Sequence, residues 1–427
     1  MKKISICLAV LVMFGCFCFS QETSSSNEKI VLSVESAAEM AMQNNLSIQR
    51  QNLSLEQLKK KSTYSWNSVS PSLSASGSYG INLENDSTNW SISGSARLNF
   101  TPALFTSIKA AKLNYESGLT NFEDTKKTIE VNVRKAFFSL LLTKETLTLQ
   151  NRNLETARQR YTSNRDKYKR GQLSELDMLN SQYAYESLKP AVESATINYE
   201  NSVATFKQLL GIPQETELEL KGELADYVPS KEIKVTYNPD DLPTVKKINA
   251  QIESAKNSLL ATRFTAYAPA FNASYSFGKG ASSMMPDQIN TTQSISLGFS
   301  LPLDGYLPWT NGALNIDAQK ANLKDLELQL DNEKVNAKIS VDKAIKSIKQ
   351  AQSQLDLLKT NVELAKKTYD MTLAAYNHGT RDLLVLKNAS DALFSARTNL
   401  QTQMYTLISL ELDLENTLGL PFGSLGK

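Results

Sequence analysis

Cysteine and histidine are almost missing from this chain. Its three cysteines, Cys7, Cys16 and Cys18, all fall within the first 18 residues, and His378 is the sole histidine among 427 residues. Beyond residue 18 this excludes disulfides, thiolate chemistry, cysteine-ligated metals and paired-histidine sites. The usual acid–base and nucleophile centres are absent too, so neither an enzyme nor a cofactor is expected. A dominant charge sign is also lacking. Lys and Arg number 46 against 44 Asp and Glu, and the excess consists of Lys2 and Lys3. Such a balance gives no electrostatic reason to expect nucleic acid as a partner. With 41% hydrophobic and 21% charged residues, the chain is neither disordered nor a polytopic helical membrane protein.

Long apolar runs occur once, at the amino end. Lys2 and Lys3 precede an apolar stretch from Ile4 to Phe19, followed by small residues near Ser20–Gln21. Residues 1–20 therefore read as a secretory signal peptide and are set aside from the fold. A transmembrane anchor and a lipoprotein signal at Gly15–Cys16 are the rival readings. No later run could form a membrane helix. If the mature chain crosses a membrane, it does so as a closed β-barrel, because only helices and closed barrels satisfy every backbone group in lipid.

The chain contains an internal duplication. At an offset of 208, Asn153, Glu155, Ala157, Tyr161, Tyr168 and Gly171 recur as Asn361, Glu363, Ala365, Tyr369, Tyr376 and Gly379, and Gly211–Pro213 recurs as Gly419–Pro421. Earlier in each copy, SPSLSASGSYG at 70–80 returns as APAFNASYSFG at 268–278. Repeats of this kind mark two structural units, 21–213 and 243–421. An acidic, Pro-containing connector at 214–242 joins them, and a tail at 422–427 follows.

Heptads run through both units. Leu140, Leu147, Leu154, Tyr161 and Tyr168 are spaced by sevens, as are Ile348, Leu355, Val362, Tyr369 and Tyr376. After each glycine the pattern resumes, through Met178, Tyr185, Val192, Tyr199 and Phe206, and through Leu386, Leu393, Leu400, Leu407 and Leu414. This predicts helices over roughly 103–168, 174–211, 311–377 and 382–418, paired as left-handed antiparallel hairpins that turn at Gly171 and Gly379. Pro190 has Thr398 as its counterpart, so a kink is expected in one copy only.

Each unit also carries two alternating segments. Leu73, Ala75, Gly77 and Tyr79 alternate with serines, and Trp90, Ile92, Gly94, Ala96, Leu98 and Phe100 do the same. The second copy offers Phe271, Ala273, Tyr275 and Phe277, then Ile295, Leu297, Phe299, Leu301 and Leu303. Period two with one apolar and one serine-rich face suits transmembrane strands with lipid outside and water inside. Segments 81–89 and 279–292 read as external loops. Trp66, Trp90 and Trp309 fall near strand ends, as interfacial aromatics do. Four strands cannot close a barrel, so several chains must pool theirs.

On these segments, and on LSVESAAEMAMQNNLSIQ (32–49), KRGQLSELDML (169–179) with QLLGIP (208–213), and HGTRDLLVLKNASDAL (378–393) with NTLGLP (416–421), the sequence resembles the TolC-type outer membrane efflux protein family. The resemblance implies an α+β membrane protein. Long helical hairpins would form a trimeric α-barrel, continuous with a shared 12-stranded transmembrane β-barrel to which each chain gives four strands. It implies a homotrimer in outer membrane lipid with its helical barrel in the periplasm. Its function would be a passive exit duct of a tripartite efflux or type I secretion system, with a periplasmic adaptor and an inner-membrane RND or ABC transporter as partners. It places part of the connector in a girdle around the helices. It maps a closing latch onto Tyr376, Arg381 and Asp177, beside Leu176. Of the positions that carry acidic rings in the family, two hold Val385 and Asn388 here, with Asp382 close by as a substitute. Adaptor docking maps onto Gly171, Gln172 and Leu173 and onto Gly379, Thr380 and Arg381. His378 reads as a solvated turn residue. The competing reading is an exported coiled-coil scaffold or a periplasmic adaptor without channel activity.

Overall fold

A computed structural model describes residues 30–84, 86–229, 235–282 and 285–425, without the side chains of 285–288 and 304. The proposed signal segment lies outside the described residues. The chain begins with a short strand β1 (Ile30–Leu32), then α1 (Val34–Asn44) and α2 (Leu46–Thr63). Ser33 caps α1 in a reciprocal box with Ser36, and Asn45 caps α2 by accepting from Ser47 and Ile48. A β-hairpin follows, β2 (Ser72–Asn82) and β3 (Ser87–Phe100), and then α3 (Ala103–Lys169). The chain returns along α3 as α4 (Glu175–Glu186) and α5 (Lys189–Leu210). After a short strand β4 (Leu218–Leu220) the order recurs: α6 (Pro243–Tyr267), β5 (Ala270–Ser282), β6 (Met285–Ser300), α7 (Asn311–Asn377) and α8 (Leu383–Leu418).

Helices α3 and α7 each contain 67 residues. At ~1.5 Å rise per residue each is about 100 Å long. In a folded protein most of a helix's stability comes from packing its apolar stripe, and here that stripe is a seam. That seam is the heptad stripe: Leu140, Phe206, Ile348, Leu355, Leu386, Leu407 and Leu414 are all buried. The largest core lies midway along α3. There Phe137, Phe138, Leu140 and Leu141 pack on Leu32, Val34 and Ala37, on Phe206 and Leu210, and on Leu220 and Leu224. The connector joins this core. Its β4 pairs in parallel with β1, and Tyr227 packs edge-on against Phe138. Glu145 ties it further, accepting from the Leu224 amide at 2.9 Å and from Gln401 Nε2 at 3.0 Å. Part of the connector, 230–234, lies outside the described residues.

Several sequence expectations need correction. The single helix expected over 174–211 is two, with Ser187 and Leu188 between them. Pro190 lacks an amide hydrogen, and its ring would meet the Glu186 carbonyl in a continuous helix. It sits instead in the first turn of α5, where that hydrogen is not needed. The counterpart α8, with Thr398, is unbroken. The external loop expected at 279–292 is mostly strand, because β5 runs to Ser282 and β6 starts at Met285. In the first hairpin the loop expected at 81–89 is likewise partly strand, because β2 runs to Asn82 and β3 starts at Ser87. In the other direction Leu301 and Leu303 lie beyond the end of β6.

The four long strands make one antiparallel sheet in the order β2-β3-β5-β6. Its two central strands come from different halves of the chain. Each outer strand, β2 and β6, has a partner on one side only among the described residues.

Candidate functional site: sheet faces and hairpin tips

The register turns the alternation of four separate segments into two continuous faces. On one face Leu73, Ala96, Tyr275 and Ile295 form a row across all four strands. Leu98, Ala273 and Leu297 form the next row, and Phe100, Phe271 and Phe299 the one after. On the other face Ser74, Ser95, Ser276 and Ser294 are in line. Hydroxyls on that face bond in pairs: Ser74 with Ser95 at 2.8 Å, Ser76 with Ser93 at 2.7 Å, and Ser276 with Ser294 at 2.7 Å. The apolar face is uncovered, with Leu73 and Leu297 each 81% exposed. Soluble monomers rarely expose an apolar patch of this breadth, and such a patch marks a surface for contact with lipid or protein.

Aromatic side chains gather at the two ends of the sheet. Trp66 lies in the turn between α2 and β2, and Trp309 lies between β6 and α7, both exposed beside the helices. Phe105 packs on Phe100, and Tyr306 on Tyr267, at the same end. Trp90 stands at the far end, directly opposite Tyr79.

The helices end in two equivalent tips. Gly171 and Gly379 take left-handed conformations, φ 70° and 75°. In each tip the glycine amide bonds back three residues, to Tyr168 or Tyr376, and the next amide bonds back five, to Lys167 or Ala375. This is the Schellman pattern, which needs a residue free to adopt positive φ. A side chain added at either glycine would meet nothing within 4 Å. The backbone of both tips is therefore open to approach. Gln172, Leu173, Thr380 and His378 sit on these turns.

Asp177 and Asp382 are drawn into capping. The Ser174 hydroxyl donates to Asp177 Oδ2 at 2.6 Å and accepts from the Asp177 amide. Asp382 is the N-cap of α8, with its carboxylate accepting from the Val385 amide at 2.9 Å. Both acids line one groove of about 740 Å³ between the hairpins, with Arg160, Ser181, Lys387 and Asp391. Tyr376 is elsewhere. Its hydroxyl donates to Asn164 Oδ1 at 3.2 Å, and no described hydrogen bond joins it to Asp177. Arg381 forms no ion pair among the described residues. Leu176 is exposed, as is Leu384, which follows the other turn at the same spacing.

Sequence reasoning passed over several polar residues that join elements. Arg160 Nη2 donates to the Tyr369 hydroxyl at 2.6 Å, tying α3 to α7. Glu415 is fully buried, and its carboxylate accepts from the amides of Gly423, Ser424 and Leu425. Glu411, one turn earlier, is also buried, with Oε1 unpartnered among the described residues. Burial, and then the neighbouring Glu415 carboxylate, push its carboxyl up to about 7.

The outer membrane efflux protein family matches this chain over residues 37–212 and 241–420, most of its length. The chain belongs to that family. Among curated relatives, outer membrane protein TolC of Salmonella enteritidis is 22% identical over 358 residues, covering 76% of this chain and 69% of that protein. TolC of Escherichia coli strain K12 is 22% identical over 347 residues, with the same coverage. The fold matches solved outer membrane channels at low identity. The Campylobacter jejuni CmeC channel gives a TM-score of 0.74 at 16% identity, covering 90% of this chain and 85% of that one. The open-state Neisseria gonorrhoeae MtrE channel gives 0.71 at 19% identity, covering 91% and 89%. CusC, described for its transmembrane channel formation, gives 0.71 at 17% identity, covering 91% and 92%. This family member is accordingly an outer membrane protein with the channel fold. Among the described residues no helix is long and apolar enough to cross a membrane.

Proposed function

We propose that three copies of this chain close a single 12-stranded barrel, four strands from each, and act as the passive exit duct of an efflux system. The observation that carries this is the open sheet, with one mainly apolar and largely exposed face, one hydroxyl-rich face and, among the described residues, two unpaired edges. Free edges are not viable in lipid, and β2 of one copy against β6 of the next removes them all. From Phe100 to Trp90 is 10 residues along β3, which at a tilt of ~40° spans about 26 Å, the height of an outer-membrane apolar band. Trp66, Trp90 and Trp309 then mark its two borders. The helices continue the serine-lined lumen into the periplasm. An exported scaffold or adaptor would leave the apolar face without a role.

The tips form the periplasmic end. Gly171–Leu173 and Gly379–Arg381 present open backbone to a periplasmic adaptor, flanked by exposed Leu176 and Leu384, and an inner-membrane RND or ABC transporter supplies the energy. Tyr376, Arg381, Asp177 and Asp382 form the closing constriction. Tyr376 acts through Asn164 within one chain, and Arg381 meets Asp177 of the neighbouring one. Purified protein reconstituted in planar bilayers should give discrete conductance steps and run on gels as a heat-dissociated oligomer. A freely soluble product with no conductance would contradict the duct.

A further inference from the structure

The hydroxyl-rich face carries one ionisable side chain in its rows from Ser72 to Ser78, and that is Arg97. It lies in the row Ser72–Arg97–Ser274–Ser296, three residues before β3 ends at Phe100. Its neighbours on that face are serine, asparagine, threonine and glycine. Strands β2, β3, β5 and β6 contain one acid, Asp287 near the start of β6 at the end of the sheet far from Arg97, and only one further cation, Lys279. Lys279 pairs with Ile92 and so belongs to the opposite, apolar face. Among the described residues no carboxylate pairs with the exposed Arg97 guanidinium.

We propose that Arg97 gives the lumen a preference for anions where the sheet meets the helices. This rests on the trimeric duct proposed above, which places three Arg97 side chains at one level. A guanidinium keeps its charge at any working pH. A 12-stranded barrel has a radius on the order of 12 Å from its strand spacing and tilt. That is close to the Debye length of ~10 Å at 0.1 M salt, so the three fields overlap on the axis. Summing them in water-like dielectric enriches monovalent anions by about twofold and depletes cations by a similar factor.

The test is the reversal potential of single channels in planar bilayers across a potassium chloride gradient. Arg97→Gln should lower the chloride-to-potassium permeability ratio by about two- to fivefold. Arg97→Glu should lower it further, and Arg97→Lys should keep it. Lys279→Gln removes the same charge from the other face and should leave the ratio unchanged. Heat-dissociated oligomers on a gel confirm assembly of each variant. Equal ratios in wild type and Arg97→Glu, or equal losses in Arg97→Gln and Lys279→Gln, overturn the role of Arg97 while leaving the duct standing. A wild-type protein without conductance overturns the duct and this inference together.

Discussion

Tyr376 reaches from the end of α7 to Asn164 of α3, its hydroxyl 3.2 Å from Oδ1. The contact bridges the two halves of the chain close to the tips. Asn164 is buried and its amide nitrogen lacks a described partner, so this bond is the anchor of its side chain.

Tyr376→Phe removes that bond and little else. A neutral hydrogen bond contributes about 1 kcal/mol net, so the closed tip should lose roughly fivefold in population. Mean single-channel conductance, or open probability, should rise in planar bilayers. Unchanged gating would reduce Tyr376 to a helix-seam residue. Arg381→Ala should have the same direction of effect if it bridges neighbouring chains.

Glu411 makes stability depend on pH. Its carboxyl titrates at about 7 in the fold against an ordinary 4.5. Between these values the folded chain holds more protons than the unfolded one, so its stability must fall as pH rises. The contribution is fully present below pH 4.5 and is lost as pH climbs through 7, up to about 3 kcal/mol in all. Glu411→Gln should flatten that slope and stabilise the protein at pH 8. Urea titrations at pH 5 and pH 8 on both proteins check it.

Glu415 anchors the carboxyl-terminal tail through three successive amides. Removing residues 422–427 leaves a buried carboxylate without those partners, at a cost of about 3 kcal/mol. Glu415→Ala should also release the tail to proteolysis. A tail that stays protected would show that Phe422, which lies against Arg134, holds it instead.

Neighbouring residues on β6 separate the two sheet faces. Ile295 stands on the apolar face and Ser294 on the hydroxyl face. Ile295→Arg should weaken assembly in the membrane by about 2–4 kcal/mol, while Ser294→Arg should be tolerated. Oligomer yield from membrane fractions reports the difference. Equal yields would contradict the assignment of faces.

The long helices were legible because a seven-residue stripe persists over many turns, and a packed seam is its physical consequence. Strand faces were legible for the same reason, at period two. Strand ends were not. Gly280 and Pro286 in 279–292 look like loop residues, yet β5 and β6 continue across that range, with Gly280 paired to Asn290 and Ser282 to Met285. The adjacency of β3 and β5 depends on the two halves meeting, which no local pattern encodes. At the tips, the turns could be located from glycine alone, but side-chain partners could not. Tyr376 chose Asn164, and Asp382 became a helix cap. Glu411 and Glu415 resemble surface acids until Leu407, Ile408 and Leu414 are placed beside them on one helical stripe.

The most direct test of the whole account is the mass of the purified, full-length exported protein in detergent, by light scattering corrected for bound detergent. Three chains per particle are predicted, dissociating only on heating. A particle of one chain, stable in detergent with β2 and β6 still unpaired, would contradict it.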